Sequence, residues 1–435
     1  MKLPRTTVAQ TPKSWAIVIA SRKSIAQSIY AELRRGADIL NIKVEYPQIH
    51  NVLSQPTQGS IYVVTPTVLL AALTRRRPTD AITGLDLVIS DNLEQLDSTY
   101  ELALSLLQLS TQSSGTRFVG YSDSLNDPSD LANWLNIDPS CLFSFRPRDR
   151  EQSLRISSQT FSLSYSAALF KAMAKPVHMA ITEGHRQEPS IVFVPSRSHC
   201  RSVALDLITW ATLDIEAGRG YLPSTIAEDA IREYRDHLQD DELIDFITKG
   251  VGFYHHGLHK NDRATILQLY LEGIVRVLLV PREACWDIPV RASCVVVMGT
   301  QYVELNPETN VRRIRDYKIT DIVRMQSRAV QHKGTGNFHL FCQAEALDTY
   351  SRFLSEGLPL ESQLMETDHL QNWIKSVRAR GYALAKQDLF DFLSFSFLAQ
   401  RVASNPTYYG LSSTEPNENL SRIVDQVFSR VQGDM

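Results

Sequence analysis

The stretch Leu85–Leu96, LDLVISDNLEQL, decides how the chain is read. Leu85, Leu87, Val88 and Ile89 form an apolar run that ends in Ser90, Asp91, Asn92, Leu93 and Glu94. That is the pattern of a parallel strand buried on both faces and delivering an acidic residue to the edge of its sheet. Ligands of open α/β sheets sit outside the carboxyl ends of such strands. Nucleotide hydrolysis there needs an Asp-Glu pair to hold a metal ion and orient the attacking water. Here the second position is Asn92, so the rest of the chain must say whether that chemistry survives.

Working outward, the same alternation recurs on both sides. Before the stretch, the patterns predict strands at Ala16–Ala20, Ile42–Tyr46 and Ser60–Thr65, with helices over Ser24–Arg35 and through Leu69, Leu70 and Leu73. After it, they predict a helix over Thr99–Leu109, a strand over Arg117–Tyr121 and a helix through Leu131, Trp134 and Leu135. Strands alternating with helices argue for a parallel α/β layer. Cys141 to about Ser164 reads as connecting strands and loop, and Ser166–Met179 as a helix. The alternation then restarts, with strands at Ser190–Val194, Val251–Tyr254, Arg276–Val280 and Cys294–Gly299. Helices are predicted over Val203–Glu216, Ile226–Lys249 and Lys260–Glu272. From about Glu361 helical patterns dominate: Leu370–Arg378, Lys386–Phe397 and Leu420–Val431, with a turn at Asn405–Gly410.

Size and charge narrow the classes. At 435 residues the chain has room for about three domains on a prior of roughly 150 residues each. A net charge of −3 gives no bulk electrostatic case for nucleic-acid binding, although a local basic groove stays open. The five cysteines (141, 200, 285, 294, 342) form no Cys-x-x-Cys pair and no Cys/His cluster, which argues against a zinc site or a disulfide framework. No run approaches about 18 apolar residues, and the first fifteen residues lack the apolar core of a signal peptide. His255, His256 and His259 are the one histidine cluster, with no carboxylate at an obvious ligand spacing; a structural strand-to-helix loop is expected.

Two tandem α/β units followed by a helical module is the layout of a superfamily 2 helicase core. Several stretches carry a closer resemblance: Met173–Val177 (MAKPV), Ile191–Arg197 (IVFVPSR), Gly250–Phe253 (GVGF), Gly299–Tyr302 (GTQY) and Phe395–Leu411 (FSFLAQRVASNPTYYGL). In combination they resemble the spliceosomal dual-cassette RNA helicase family (bad response to refrigeration), the C-terminal cassette more than the first, with a DNA-repair relative of the same layout as a near neighbour. The resemblance covers nearly the whole chain. It implies two RecA-like parallel-sheet domains, 1–150 and 151–355, and a mainly helical winged-helix module over 356–435.

The resemblance also assigns motifs. Its Asp-Glu-x-His box falls on Asp91, Asn92, Leu93 and Glu94, where asparagine cannot take the proton a glutamate would accept. The plain alternative for Asp91 is a strand-end or helix-cap aspartate. Its final Gln-x-x-Gly-Arg-x-Gly-Arg motif falls on Arg324–Gln331, so that the arginine finger becomes Gln331 while Arg328 matches the first arginine, a nucleotide contact or else a structural salt bridge. The glycine-rich turn becomes Pro281–Pro289, with Asp287 for glycine and Trp286 expected in the core. Ser122-Asp123-Ser124 stands for a Ser-Ala-Thr-like linkage. Nucleic-acid contacts fall on Thr65, Pro66 and Arg197; Thr65-Pro66 also reads as a strand-to-helix turn with proline at the first helical position. A Gly-x-x-x-x-Gly-Lys loop is expected roughly 25 residues before Ala16, where too few residues precede it and none is glycine. The expectation is therefore a fragment or a shortened relative, with no catalytic residue, no metal and no bound ATP or magnesium. The leading functional expectation is an inactive cassette that acts as a nuclear scaffold or regulator, with splicing-factor proteins or an active helicase cassette as partners. The alternatives are a residual ATP-binding, RNA-remodelling fragment completed by upstream sequence, and a passive RNA-binding module.

Overall fold

The computed structural model describes residues 14–40, 42–47, 52–76, 80–150, 153–183, 188–213, 220–226, 231, 234, 238–306, 309–330, 335–366, 368–382, 384–412 and 415–433. In chain order, the first elements are β1 (Trp15–Ala20), α1 (Lys23–Ala37), β2 (Lys43–Glu45), β3 (Ser60–Val64), α2 (Pro66–Leu73), β4 (Leu85–Asp91), α3 (Ser98–Thr111), β5 (Arg117–Gly120) and α4 (Ser129–Trp134). The five strands form one parallel sheet in the order β2-β3-β1-β4-β5. Every residue of β1 and β3 is buried, which is why both read as unbroken apolar runs rather than alternating ones. β1 is flanked by β3 on one side and β4 on the other, so the chain reverses its winding there and leaves a crevice at the carboxyl ends of these strands.

The next elements are β6 (Leu154–Phe161), α5 (Ala167–Thr182), β7 (Ser190–Val194), α6 (Arg197–Leu213), α7 (Asp241–Ile247), β8 (Val251–Phe253), α8 (Lys260–Leu271), β9 (Val277–Pro281), β10 (Cys294–Met298), β11 (Gln301–Leu305), β12 (Arg312–Asp316), α9 (Ile319–Gln326), β13 (Gly336–Gln343) and α10 (Leu347–Glu356). Six of the strands make a second parallel sheet, β6-β13-β10-β7-β9-β8, while β11 and β12 form an antiparallel hairpin of their own. The two tandem parallel sheets expected from the sequence are thus present. The helix predicted over Ile226–Lys249 is not continuous: Leu238–Asp240 are non-helical, and the Asp240 carboxylate caps α7 by accepting from the N–H groups of Glu242 and Leu243; parts of 226–237 lie outside the described residues.

The last elements are α11 (His369–Ala379), α12 (Lys386–Ser394), α13 (Phe397–Ser404) and α14 (Pro416–Gly433). The single helix predicted over Lys386–Phe397 is two helices, because Ser396 leaves helical geometry and its hydroxyl caps α13 by accepting from Ala399 N–H. No strand occurs among the described residues after Leu358.

The chain divides into two compact units. One combines residues 1–146 with 356–435, so the C-terminal helices belong with the first sheet; the other spans 147–355. Within the first unit, Leu125 and Leu358 form a parallel bridge, and an added Cβ on Gly357 (φ +102°) would come within 2.8 Å of the Leu125 carbonyl carbon. Only glycine allows that approach. Glu101 on α3 is fully buried; it accepts hydrogen bonds from Ser362 Oγ at 2.7 Å and from Leu398 N–H at 2.8 Å. Trp134 Nε1 donates to the Phe395 carbonyl at 2.8 Å, and its ring packs on Phe397. Arg401 on α13 reaches Asp130 with Nη1 and Glu361 with Nη2 and Nε.

Candidate functional site

β1, β3 and β4 are in register so that Ile19 lies beside Val64 and Ala20 beside Asp91. Thr65-Pro66 and Asp91-Asn92 therefore sit at the same edge of the first sheet, on either side of the end of β1. Thr65 is the N-cap residue of α2 and Pro66 its first helical residue, and the Thr65 side chain makes no capping hydrogen bond. Asp91 is the last residue of β4, and its carbonyl accepts from the buried Tyr100 hydroxyl at 3.0 Å. The helix cap is not Asp91 but Asp97, whose carboxylate accepts from Tyr100 N–H at 2.8 Å.

Asn92 adopts the left-handed conformation, with φ 55° and ψ 50°. Outside glycine, asparagine and aspartate enter that region most readily. This backbone turn lets Asn92 Nδ2 donate to Glu94 Oε1 at 3.3 Å. The other Glu94 oxygen accepts from Asp123 N–H at 3.0 Å. Glu94 is buried, and burial together with the nearby Asp123 carboxylate raises it to about pKa 7. The pair of acidic residues, Glu94 and Asp123, is the feature that the motif comparison misses. The signal was available, since each follows the end of one of two neighbouring strands, β4 and β5. Chemically, the cluster holds a hydrogen-bonded carboxylate that gains a proton near neutrality. Asn92 is a neutral amide without basicity.

Beside this cluster a cavity of about 180 Å³ is lined by Leu93, Ser122, Asp123, Leu131, Phe143 and Phe145, among others, and Phe143 and Phe145 are largely exposed.

In the second unit, Arg197 follows the carboxyl end of β7 and pairs with Glu283 at 2.6 Å. His256 Nε2 lies 2.7 Å from Asp287 Oδ2, His255 stacks on Phe253, and the His259 ring accepts from Asn261 N–H at the start of α8. Each member of the cluster thus has a local partner. Trp286 is buried as expected, its Nε1 donating to Asp321 at 2.8 Å, while Arg282 holds the other oxygen of the same carboxylate. Arg324 lies over the Trp286 ring at 5.1 Å.

Arg328 lies elsewhere. Its backbone hydrogen-bonds Ala292, just before β10, at the amino-terminal edge of the sheet and away from Arg197. A structural salt bridge was expected for it, but Arg328 holds no ion pair among the described residues. Burial, with the neighbouring cations Arg324 and Arg291, lowers it to about pKa 10. Gln331 lies outside the described residues.

No family model matches the chain. It is 29% identical over 439 residues to the U5 small nuclear ribonucleoprotein 200 kDa helicase of Homo sapiens, an alignment covering 97% of this chain and 20% of that protein. It is 30% identical over 387 residues to the DExH-box ATP-dependent RNA helicase DExH12 of Arabidopsis thaliana (86% and 18%). It is 28% identical over 374 residues to the pre-mRNA-splicing factor brr2 of Schizosaccharomyces pombe (83% and 16%). The chain resembles a segment of the U5 200 kDa helicases. It spans about a fifth or less of the length of these relatives. The resemblance read from the residues is borne out, and the two parallel sheets with their helical region fit tandem RecA-like domains of a U5 200 kDa helicase cassette.

Proposed function

We propose that the chain is a helicase-like scaffold of pre-mRNA splicing that does not turn over ATP. It acts in the nucleus and binds splicing-factor proteins or an active helicase cassette. The observation that carries this reading is the strand end itself: Asn92, held left-handed, donates to a buried Glu94 that is already committed to Asp123 N–H. A magnesium-bound triphosphate needs carboxylates free to coordinate and a base to orient water. Beside Asp91 the chain supplies no such base, since Asn92 is a neutral amide and both Glu94 oxygens already accept hydrogen bonds. The relatives' names supply the splicing context.

The test is ATP binding and RNA-stimulated turnover by the purified chain, with the nuclear fraction of a tagged chain as a second readout. Turnover above about 1 s⁻¹, within the ordinary enzyme range, would overturn the scaffold reading. A chain confined outside the nucleus would overturn the splicing assignment.

A further inference from the structure

The second sheet has an edge that its sequence does little to protect. β6 is its outermost strand on one side, paired to β13 through eight consecutive positions, Leu154 to Phe161 against Gly336 to Gln343. Its other side leaves a row of main-chain N–H and C=O groups without a strand partner among the described residues. Edge strands are normally guarded by lysines, prolines, bulges or shortness. The sequence LRISSQTF has no lysine, no proline and one charge, Arg155; the register has no bulge; and Ile156 is 48% exposed.

At the carboxyl end of the strand lies a cavity of about 480 Å³ lined by Phe161, Leu163, Tyr165, Gln301, Ile314 and Gln343, among others. Gln343 is 8% exposed. Its Nε2 donates to Gln301 Oε1 at 3.0 Å, and its own Oε1 is buried with no hydrogen-bond partner. Buried acceptors are rarely left unsatisfied, so this one points to a donor supplied from outside. Around the site, Arg155 shares a strand face with Phe161, and Arg312 shares one with Ile314, by the two-residue period of β-structure. Glu345 also lines the cavity and disfavours an acid inside it, so acidic residues belong at the ends of an occupant.

We propose that the free edge of β6 and the cavity at its carboxyl end form a docking site for an extended, acid-flanked peptide strand of a protein partner. The strand adds to β6 by main-chain hydrogen bonds, which give affinity without demanding a particular sequence. Its N–H or amide donor satisfies Gln343, and its terminal carboxylates meet Arg155 and Arg312. The inference goes beyond the splicing reading and does not depend on it.

The test uses the full chain and a fluorescein-labelled ten-residue peptide of alternating valine and threonine with glutamate at both ends. Anisotropy should show saturable binding, and hydrogen exchange should show the amides of residues 154–161 gaining protection. Gln343→Leu should weaken binding about tenfold, the scale of one lost buried hydrogen bond. The exposed double variant R155E/R312E should weaken it at least about fivefold at an unchanged thermal midpoint, and should prefer the same peptide with lysine ends. No binding up to about 1 mM, protection elsewhere than β6, or indifference to R155E/R312E would overturn the proposal. So would displacement of the peptide from these amides by a single-stranded decaribonucleotide, which would reassign the edge to nucleic acid.

Discussion

Asn92 sits in a backbone conformation that few side chains accept. Its backbone is left-handed, and a side chain other than glycine, asparagine or aspartate pays roughly 1–2 kcal/mol to sit there. Asn92→Glu should therefore lower stability by about 1 kcal/mol and add a third carboxylate beside Glu94 and Asp123, whereas Asn92→Gly should be nearly neutral; urea denaturation of the two variants checks the difference. Glu101 provides a second residue-scale prediction. Burial raises it to about pKa 7 against hydrogen bonds from Ser362 and Leu398 that favour the charged form. A carboxyl raised on folding binds more protons folded than unfolded, so its contribution is full below its ordinary value, near 4.5, and is lost as pH rises through about 7. Glu94 has the same sign. The urea midpoint should thus fall between about pH 5 and pH 7.5, and Glu101→Gln, which keeps the shape and one acceptor oxygen, should flatten that slope.

At the scale of elements, what joins the C-terminal helices to the first sheet is polar as much as apolar. Arg401 on α13 lies between Asp130 on α4 and Glu361 on the preceding segment, with both carboxylates mostly shielded from water. Burial would raise Glu361, but hydrogen bonds from Arg401, Asn405 and Tyr409 outweigh it and hold the carboxyl below its usual range. Removing the cation strands two carboxylates. Arg401→Ala should cost about 2–3 kcal/mol, less than a fully buried pair because the groups keep some exposure. Arg401→Lys should recover part of that, since an ammonium cannot bond both partners with a planar fork. Trp134→Phe, which loses the bond to the Phe395 carbonyl, should cost about 1 kcal/mol; thermal midpoints of these variants form the test.

For the whole molecule, the first compact unit is built from both ends of the chain, 1–146 and 356–435. Deleting 356–435 would expose the apolar contacts of Trp134 and would leave the buried Glu101 without Ser362 and Leu398. A chain ending at residue 355 should bind a hydrophobic dye and lose the first sheet's cooperative transition, while residues 147–355 keep their own; calorimetry should resolve the two. Two independent transitions in the full chain, one for 1–146 and one for 356–435, would contradict the composite unit.

Much of this was legible in the chain itself. The two sheets announce themselves because strands covered on both faces need unbroken apolar runs, as in WAIVIA, SIYVV, SIVFV and CVVVM. That an amide, Asn92, follows Asp91 at the end of this strand is a matter of residue type and required no coordinates. β13 was harder to read, because Asn337 and His339 interrupt its apolar residues and only pairing with β10 and β6 makes it a strand. Other features belong to tertiary structure alone. Glu101 and Leu398 are 297 positions apart, and no local pattern records that a backbone N–H will need that carboxylate. The pairing of Glu94 with Asp123, the cations around Arg328 and the unsatisfied Gln343 amide share that origin. Periodicity encodes which face of an element is buried; which polar group meets which is decided only when distant segments close on one another and water is excluded between them.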